Sequence, residues 1–122
     1  MSKKYVGRVS ELIRFHLCDL LETEVDDPRI QGVTITKVKV TSDTTRADVY
    51  FSILGDAEAR QVAQQGLESA TGWLRREIGA RTRLRNTPAL VFHWDPSLEY
   101  SDHIDQLLSQ LGLGQGGNDE AT

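Results

Sequence analysis

Residues 56–85 constrain the fold more than any other part of the chain. Ala63, Leu67, Ala70, Leu74 and Ile78 recur at steps of three or four, the spacing of one face of an α-helix and not of a strand. Any fold for this chain must therefore offer a surface long enough to cover that stripe. Counting about 100° per residue from Leu74, the opposite side collects Gly72, Arg76, Gly79 and Arg83. Two arginines alternate there with two residues that have no side chain. A glycine inside a helix costs about 1 kcal/mol relative to alanine, so the pair calls for a compensating reason. Close approach of a ligand to the backbone is one such reason, and simple bending of the helix is the other. At Ala70-Thr71-Gly72 the composition suggests a kink, so the stretch reads as helix-kink-helix with cationic side chains facing outward.

Charge is concentrated in the same place. Arg75, Arg76, Arg81, Arg83 and Arg85 stand with a single acid, Glu77, so this run carries +4 in a chain whose net charge is −4, and the remainder sums to −8. The planar fork of arginine suits bidentate contact with phosphate better than a lysine ammonium does. A solvated helix face of mixed charge is the alternative for any charge run, but acids are nearly absent here. No Lys or Arg follows Arg85, whereas Asp95, Glu99, Asp102, Asp105, Asp119 and Glu120 do, so an acidic pole opposes a basic one. Such a balance excludes indiscriminate DNA binding, which rests on widespread cations. Candidate nucleic-acid contacts are Ala70, Thr71, Gly72, Arg75, Arg76, Gly79, Arg81, Arg83 and Arg85. Lys3, Lys4, Arg8, Lys37 and Lys39 are secondary candidates.

The remaining pattern is α+β. Tyr5, Val9, Leu12, Ile13, His16, Leu17, Leu20 and Leu21 give a first helix over residues 4–23, ended before Asp26-Asp27-Pro28 because proline excludes the α region for its predecessor. Residues 33–40 are β-branched, but their alternation changes phase between Ile35 and Val38, which predicts a bulged strand. After the polar turn Ser42-Asp43-Thr44-Thr45, the residues Ala47, Val49, Phe51 and Ile53 alternate cleanly with polar neighbours, as in a hairpin with one buried face. Asp56 suits the N-cap of the long helix. Leu90, Phe92 and Trp94 make a third strand, and Ser97 is placed to cap a final helix carrying Leu98, Ile104, Leu107, Leu108 and Leu111. The expected order is α-β-β-α-kink-α-β with that C-terminal helix. Residues 1–112 form one domain in this reading, and 113–122 a disordered tail with nothing to bury.

Catalytic and metal-binding patterns do not emerge. His16, His93 and His103 lie on separate elements, and the single Cys18 sits two residues from His16, on another side of the helix. No Walker loop or strand-linked G-x-G-x-x-G occurs. The expectation is a protein with no catalytic residues, cofactor or metal. With no membrane span and no signal segment at the N-terminus, it is expected to be cytoplasmic.

Taken in order, Asp27-Pro28-Arg29, Val33-Thr34-Ile35-Thr36, Ser42-Asp43, Ala47-Asp48-Val49-Tyr50 and Ala70-Thr71-Gly72 make a specific set. They are followed by Leu74-Arg75-Arg76-Glu77-Ile78-Gly79, Leu84-Arg85, Thr87-Pro88 and Ser97-Leu98-Glu99-Tyr100. In these pieces the chain resembles the bacterial ribosome-binding factor A family from about Arg8 to Leu108. The resemblance implies a type II KH-like domain in which an interrupted helix at an Ala-x-Gly kink, here Ala70-Thr71-Gly72, replaces the usual G-x-x-G loop. It also implies a non-catalytic ribosome assembly factor, a monomer in solution. Such a factor binds the free small (30S) subunit and 16S rRNA late in maturation and supports 16S rRNA processing. The residues alone leave open a protein-interaction module, dimeric in one form, whose basic face meets an acidic protein partner.

Overall fold

The computed structural model describes residues 2–97. Helix α1 spans Lys3–Thr23 and starts where the Ser2 hydroxyl accepts the Tyr5 N–H at 3.1 Å, an N-cap bond that satisfies one of the unpaired donors of the first turn. Asp27 then caps a single 3₁₀ turn, Pro28–Ile30. Strand β1 (Thr34–Val40) and strand β2 (Arg46–Ser52) form the expected antiparallel hairpin. Helix α2 covers Ala57–Thr82, with the Asp56 carboxylate accepting the Ala59 N–H at 3.0 Å, and strand β3 covers Ala89–Trp94.

The sheet order is β1-β2-β3, with β2 and β3 parallel from Arg46↔Ala89 to Phe51↔Trp94. The bulge expected in β1 lies between Ile35 and Lys37. Thr36 is the extra residue, and its hydroxyl stands 2.6 Å from the Asp95 carboxylate and 3.3 Å from the Tyr50 carbonyl. The Thr36 hydrogen bond, followed by those from Ser97, holds the Asp95 carboxyl below its ordinary range. Asp95 Oδ1 also accepts the Ser97 N–H at 2.9 Å. The proposed final helix, the tail and the boundary between them at residue 112 lie outside the described residues.

Both helices pack on one face of the sheet. Val9, Ile13, Leu17 and Leu20 of α1 join Ala63, Leu67, Leu74 and Ile78 of α2 over Val38, Val40, Ala47, Val49, Phe51, Leu90 and Phe92, all of them buried. Each helix also reaches a backbone group of an outer strand. Ser10 Oγ accepts the Val40 N–H at 3.1 Å on β1, and Gln64 Nε2 donates to the Phe92 carbonyl at 2.8 Å on β3. Edge groups that would otherwise be left unpaired are satisfied in this way.

Two expectations for residues 56–85 are corrected. First, α2 is one continuous helix through Ala70-Thr71-Gly72, not two helices divided there. Interrupting it would orphan backbone donors and acceptors and split the buried stripe between Leu67 and Leu74, a larger cost than the glycine penalty. Thr71 donates its hydroxyl to the Leu67 carbonyl at 2.9 Å, a back-bond that bends helices without breaking them. Second, the helix stops at Thr82. Arg83 is its C-cap in the left-handed conformation (φ 57°, ψ 26°), which turns Leu84 back against the core.

One glycine that the sequence does not single out sets how closely the elements approach. A Cβ on Gly66 would fall 2.8 Å from Ile30 Cγ2 and 2.9 Å from Arg29 Cβ, so the 3₁₀ turn sits directly on the α2 backbone. At Gly72 a Cβ would meet only Arg76 Nη1, at an ordinary 3.6 Å. Gly66→Ala is therefore expected to cost about 1–3 kcal/mol from overpacking. Gly72→Ala should instead be neutral or gain up to about 1 kcal/mol. Urea denaturation of the two variants checks this, and equal effects would contradict the packing described.

Candidate nucleic-acid interface

The five arginines of the basic run divide by what holds them. Arg75 donates through Nε (3.1 Å) and Nη2 (2.8 Å) to the Thr87 carbonyl, tying α2 to the segment that enters β3. Arg81 pairs with Asp19 at 2.8 Å and links α2 to α1. These two stabilise the fold. Arg76, Arg83 and Arg85 are exposed and make no hydrogen bond or ion pair among the described residues. Arg76 lies on the helix, with Nη1 beside Gly72. Arg83 sits at the left-handed cap, and Arg85 in the bend beyond it. The cationic surface is thus the last turns of α2 together with the turn that follows, and not a single helix face.

The glycines of the run also part company. In sequence Gly79 reads as an opening for a ligand, but a Cβ there would lie 2.8 Å from Thr87 Oγ1, so its bareness serves the α2–β3 turn. Gly72 is exposed, and a Cβ there would make only an ordinary 3.6 Å contact with Arg76 Nη1. Beside it Ala70 and Thr71 are half-buried, the Thr71 hydroxyl being spent on the Leu67 carbonyl. Trp73 packs against the core; Trp94, half-buried, carries the Arg60 guanidinium 4.1 Å from its ring centroid.

Secondary candidates gather elsewhere. Lys3, Lys4 and Arg8 are exposed at the start of α1, while Lys37 and Lys39 are exposed on β1. Lys3 and Lys39 line one groove. Arg81 instead meets α1 at Asp19, about 22 Å along that helix from Lys4 at 1.5 Å per residue. On the outer face of the sheet, Asp48 receives His93 Nε2 at 2.8 Å and Arg46 Nη2 at 3.0 Å. The His93 contact first, then Arg46, holds its carboxyl below the usual carboxylate range. The Lys37 ammonium stands 4.7 Å from the Tyr50 ring centroid. Among the described residues no three His, Cys, Asp or Glu side chains converge as a metal site would require, and no helix is long and apolar enough to cross a membrane.

What this arrangement can do is hold phosphate: three guanidinium groups without a partner among the described residues, projecting from a fixed helix end, supply charge-assisted, bidentate donors. Arg76→Glu with Arg85→Glu is expected to leave the unfolding free energy within about 0.5 kcal/mol of wild type while abolishing binding to a phosphate polyanion, with structured RNA as the probe. Arg75→Ala should instead lower stability by about 1 kcal/mol through the lost carbonyl contact. Chemical denaturation and RNA filter binding read the two effects separately, and normal binding by the double variant would contradict the assignment.

The family model described as Ribosome-binding factor A matches residues 6–108. The ribosome-binding factor A of Enterococcus faecalis is 45% identical over 109 residues, covering 88% of this chain and 94% of that protein. The counterpart from Geobacter sulfurreducens is 46% identical over 112 residues, covering 92% and 95% respectively. The crystal structure of ribosome-binding factor A from Thermus thermophilus superposes with a TM-score of 0.65 at 22% identity, over 73% of this chain and 93% of that one, and the shared fold is KH-like.

Proposed function

This chain belongs to the ribosome-binding factor A family, and from that membership we propose that it binds the free 30S ribosomal subunit during late maturation. It does so as a monomer, contacting 16S rRNA through Arg76, Arg83 and Arg85 and supporting processing of that RNA without catalysing it. The observation that carries the reading is the family match from residue 6 to residue 108, which takes in the whole sheet, α2 and the arginine cluster. A model of the Thermus thermophilus family member has been fitted into an electron cryo-microscopy map of a complex with the 30S subunit, which supports the same partner here.

The chemistry of the site agrees with this role. Binding through phosphate contacts needs charge in a fixed place more than a deep pocket. Arg75 and Arg81 provide the fixing, because each spends its guanidinium on the protein and so holds the helix end that carries the others. The overall acidity, with pI near 5.3, confines contact to places where cations outnumber acids and keeps the protein off nucleic acid at large. Cytoplasmic residence follows from such a role.

Sedimentation of a lysate tests the proposal. The protein is expected to travel with free small subunits, and depletion of it should raise the proportion of unprocessed 16S precursor. Migration with complete ribosomes, or only with soluble proteins, would overturn it.

A further inference from the structure

A groove of about 800 Å³ adjoins the outer strand β1 and is lined by Lys3 and Gly7 of α1, Lys39 of β1 and Tyr50 of β2. Gly7 is the residue that the protein's own packing does not account for. It lies inside α1, has no left-handed φ, and a Cβ built on it would meet nothing within 4 Å. Alanine would serve the helix better by about 1 kcal/mol. A bare position on the wall of a groove lets a ligand lie closer to the helix backbone than any side chain would permit.

Charge selects the ligand. Lys3 and Lys39 line the groove, and the Lys37 ammonium, outside the lining, stands 4.7 Å from the ring of the lining residue Tyr50. Of the two acids in the lining, Asp48 is already paired with Arg46 and His93, which leaves Glu11 alone against the Lys3 and Lys39 ammonium groups. A peptide strand adding to β1 would need the amides of that edge, and the Val40 N–H is already given to Ser10 Oγ. The volume suits a few nucleotides of one strand and not a duplex.

We propose that this groove takes the sugar–phosphate backbone of an unpaired RNA strand, with Lys3 and Lys39 pairing with its phosphates and Gly7 letting the strand lie against α1. The proposal rests on the small-subunit reading above and adds to it a second contact, distinct from the arginine surface.

Gly7→Ala, Gly7→Leu and Lys39→Gln test it, each measured for thermal stability and for affinity to purified small subunits over a range of salt. Gly7→Ala should melt higher than wild type yet bind several-fold more weakly, and Gly7→Leu should bind more weakly still. Lys39→Gln should lower the magnitude of the salt slope by about one unit. A benzophenone attached through Lys39→Cys, in a Cys18→Ser background, should crosslink to rRNA. Unchanged affinity in the glycine variants, or a crosslink only to a ribosomal protein, would overturn the groove assignment while leaving the subunit reading intact. Failure of the wild-type chain to bind subunits at all would overturn both.

Discussion

Parallel pairing of β2 with β3 is the constraint on which the rest of the structure depends. Parallel neighbours cannot be joined by a tight turn; the chain must cross back over the sheet through a dozen residues or more. Helix α2 is that crossing. Its buried stripe of Ala63, Leu67, Leu74 and Ile78 holds it to the sheet, and its far end must return the chain to Ala89, whose N–H bonds the Thr45 carbonyl at 3.0 Å beside the β1–β2 hairpin. The arginine cluster occupies this return. Its position is therefore fixed by topology, and Arg75 and Arg81 reinforce it with bonds to Thr87 and Asp19.

Much of this is legible in the sequence because burial imposes periodicity. The stripe in α2, the alternation from Ala47 to Phe51 and the phase change in β1 each correspond to an observed helix, strand or bulge. What escapes is geometry that no period encodes. The left-handed turn at Arg83 depends on Leu84 folding back to the core, so counting residues around a wheel carries the helix too far. The break at Ala70-Thr71-Gly72, suggested by composition and by family resemblance alike, gives way to a continuous hydrogen-bonded helix. Gly66 is passed over although it adjoins the buried stripe; a glycine beside Leu67 on a packed face is itself a signal of close approach. Ser10 and Gln64 leave no trace, because a polar residue that caps an edge looks in sequence like any other.

The candidate site shows a corresponding division between stability and binding. Within one short run, Arg75 and Arg81 serve the fold while Arg76, Arg83 and Arg85 are left exposed. Gly79 serves the turn packed against Thr87, whereas a Cβ at Gly72 would meet only the end of the Arg76 side chain. Residue type and spacing cannot distinguish these roles, since the difference lies in which partner the tertiary fold brings within reach. Exposed cations crowded at a helix end repel one another and gain the protein little. Their concentration in an otherwise acidic chain makes sense as a surface for polyanion.

Arg83 permits the most direct test of that claim. A residue other than glycine in the left-handed region is strained by about 1 kcal/mol or more, and glycine is the residue most favoured at such a helix end. Arg83→Gly should therefore stabilise the protein if the side chain has no structural task. The measurement is the affinity of Arg83→Gly for purified small ribosomal subunits across a salt series, with its melting temperature alongside. A higher melting temperature, weaker binding and a salt slope reduced by about one unit are expected. Equal affinity and an unchanged slope in a folded Arg83→Gly protein would contradict a phosphate-binding role for the arginine surface.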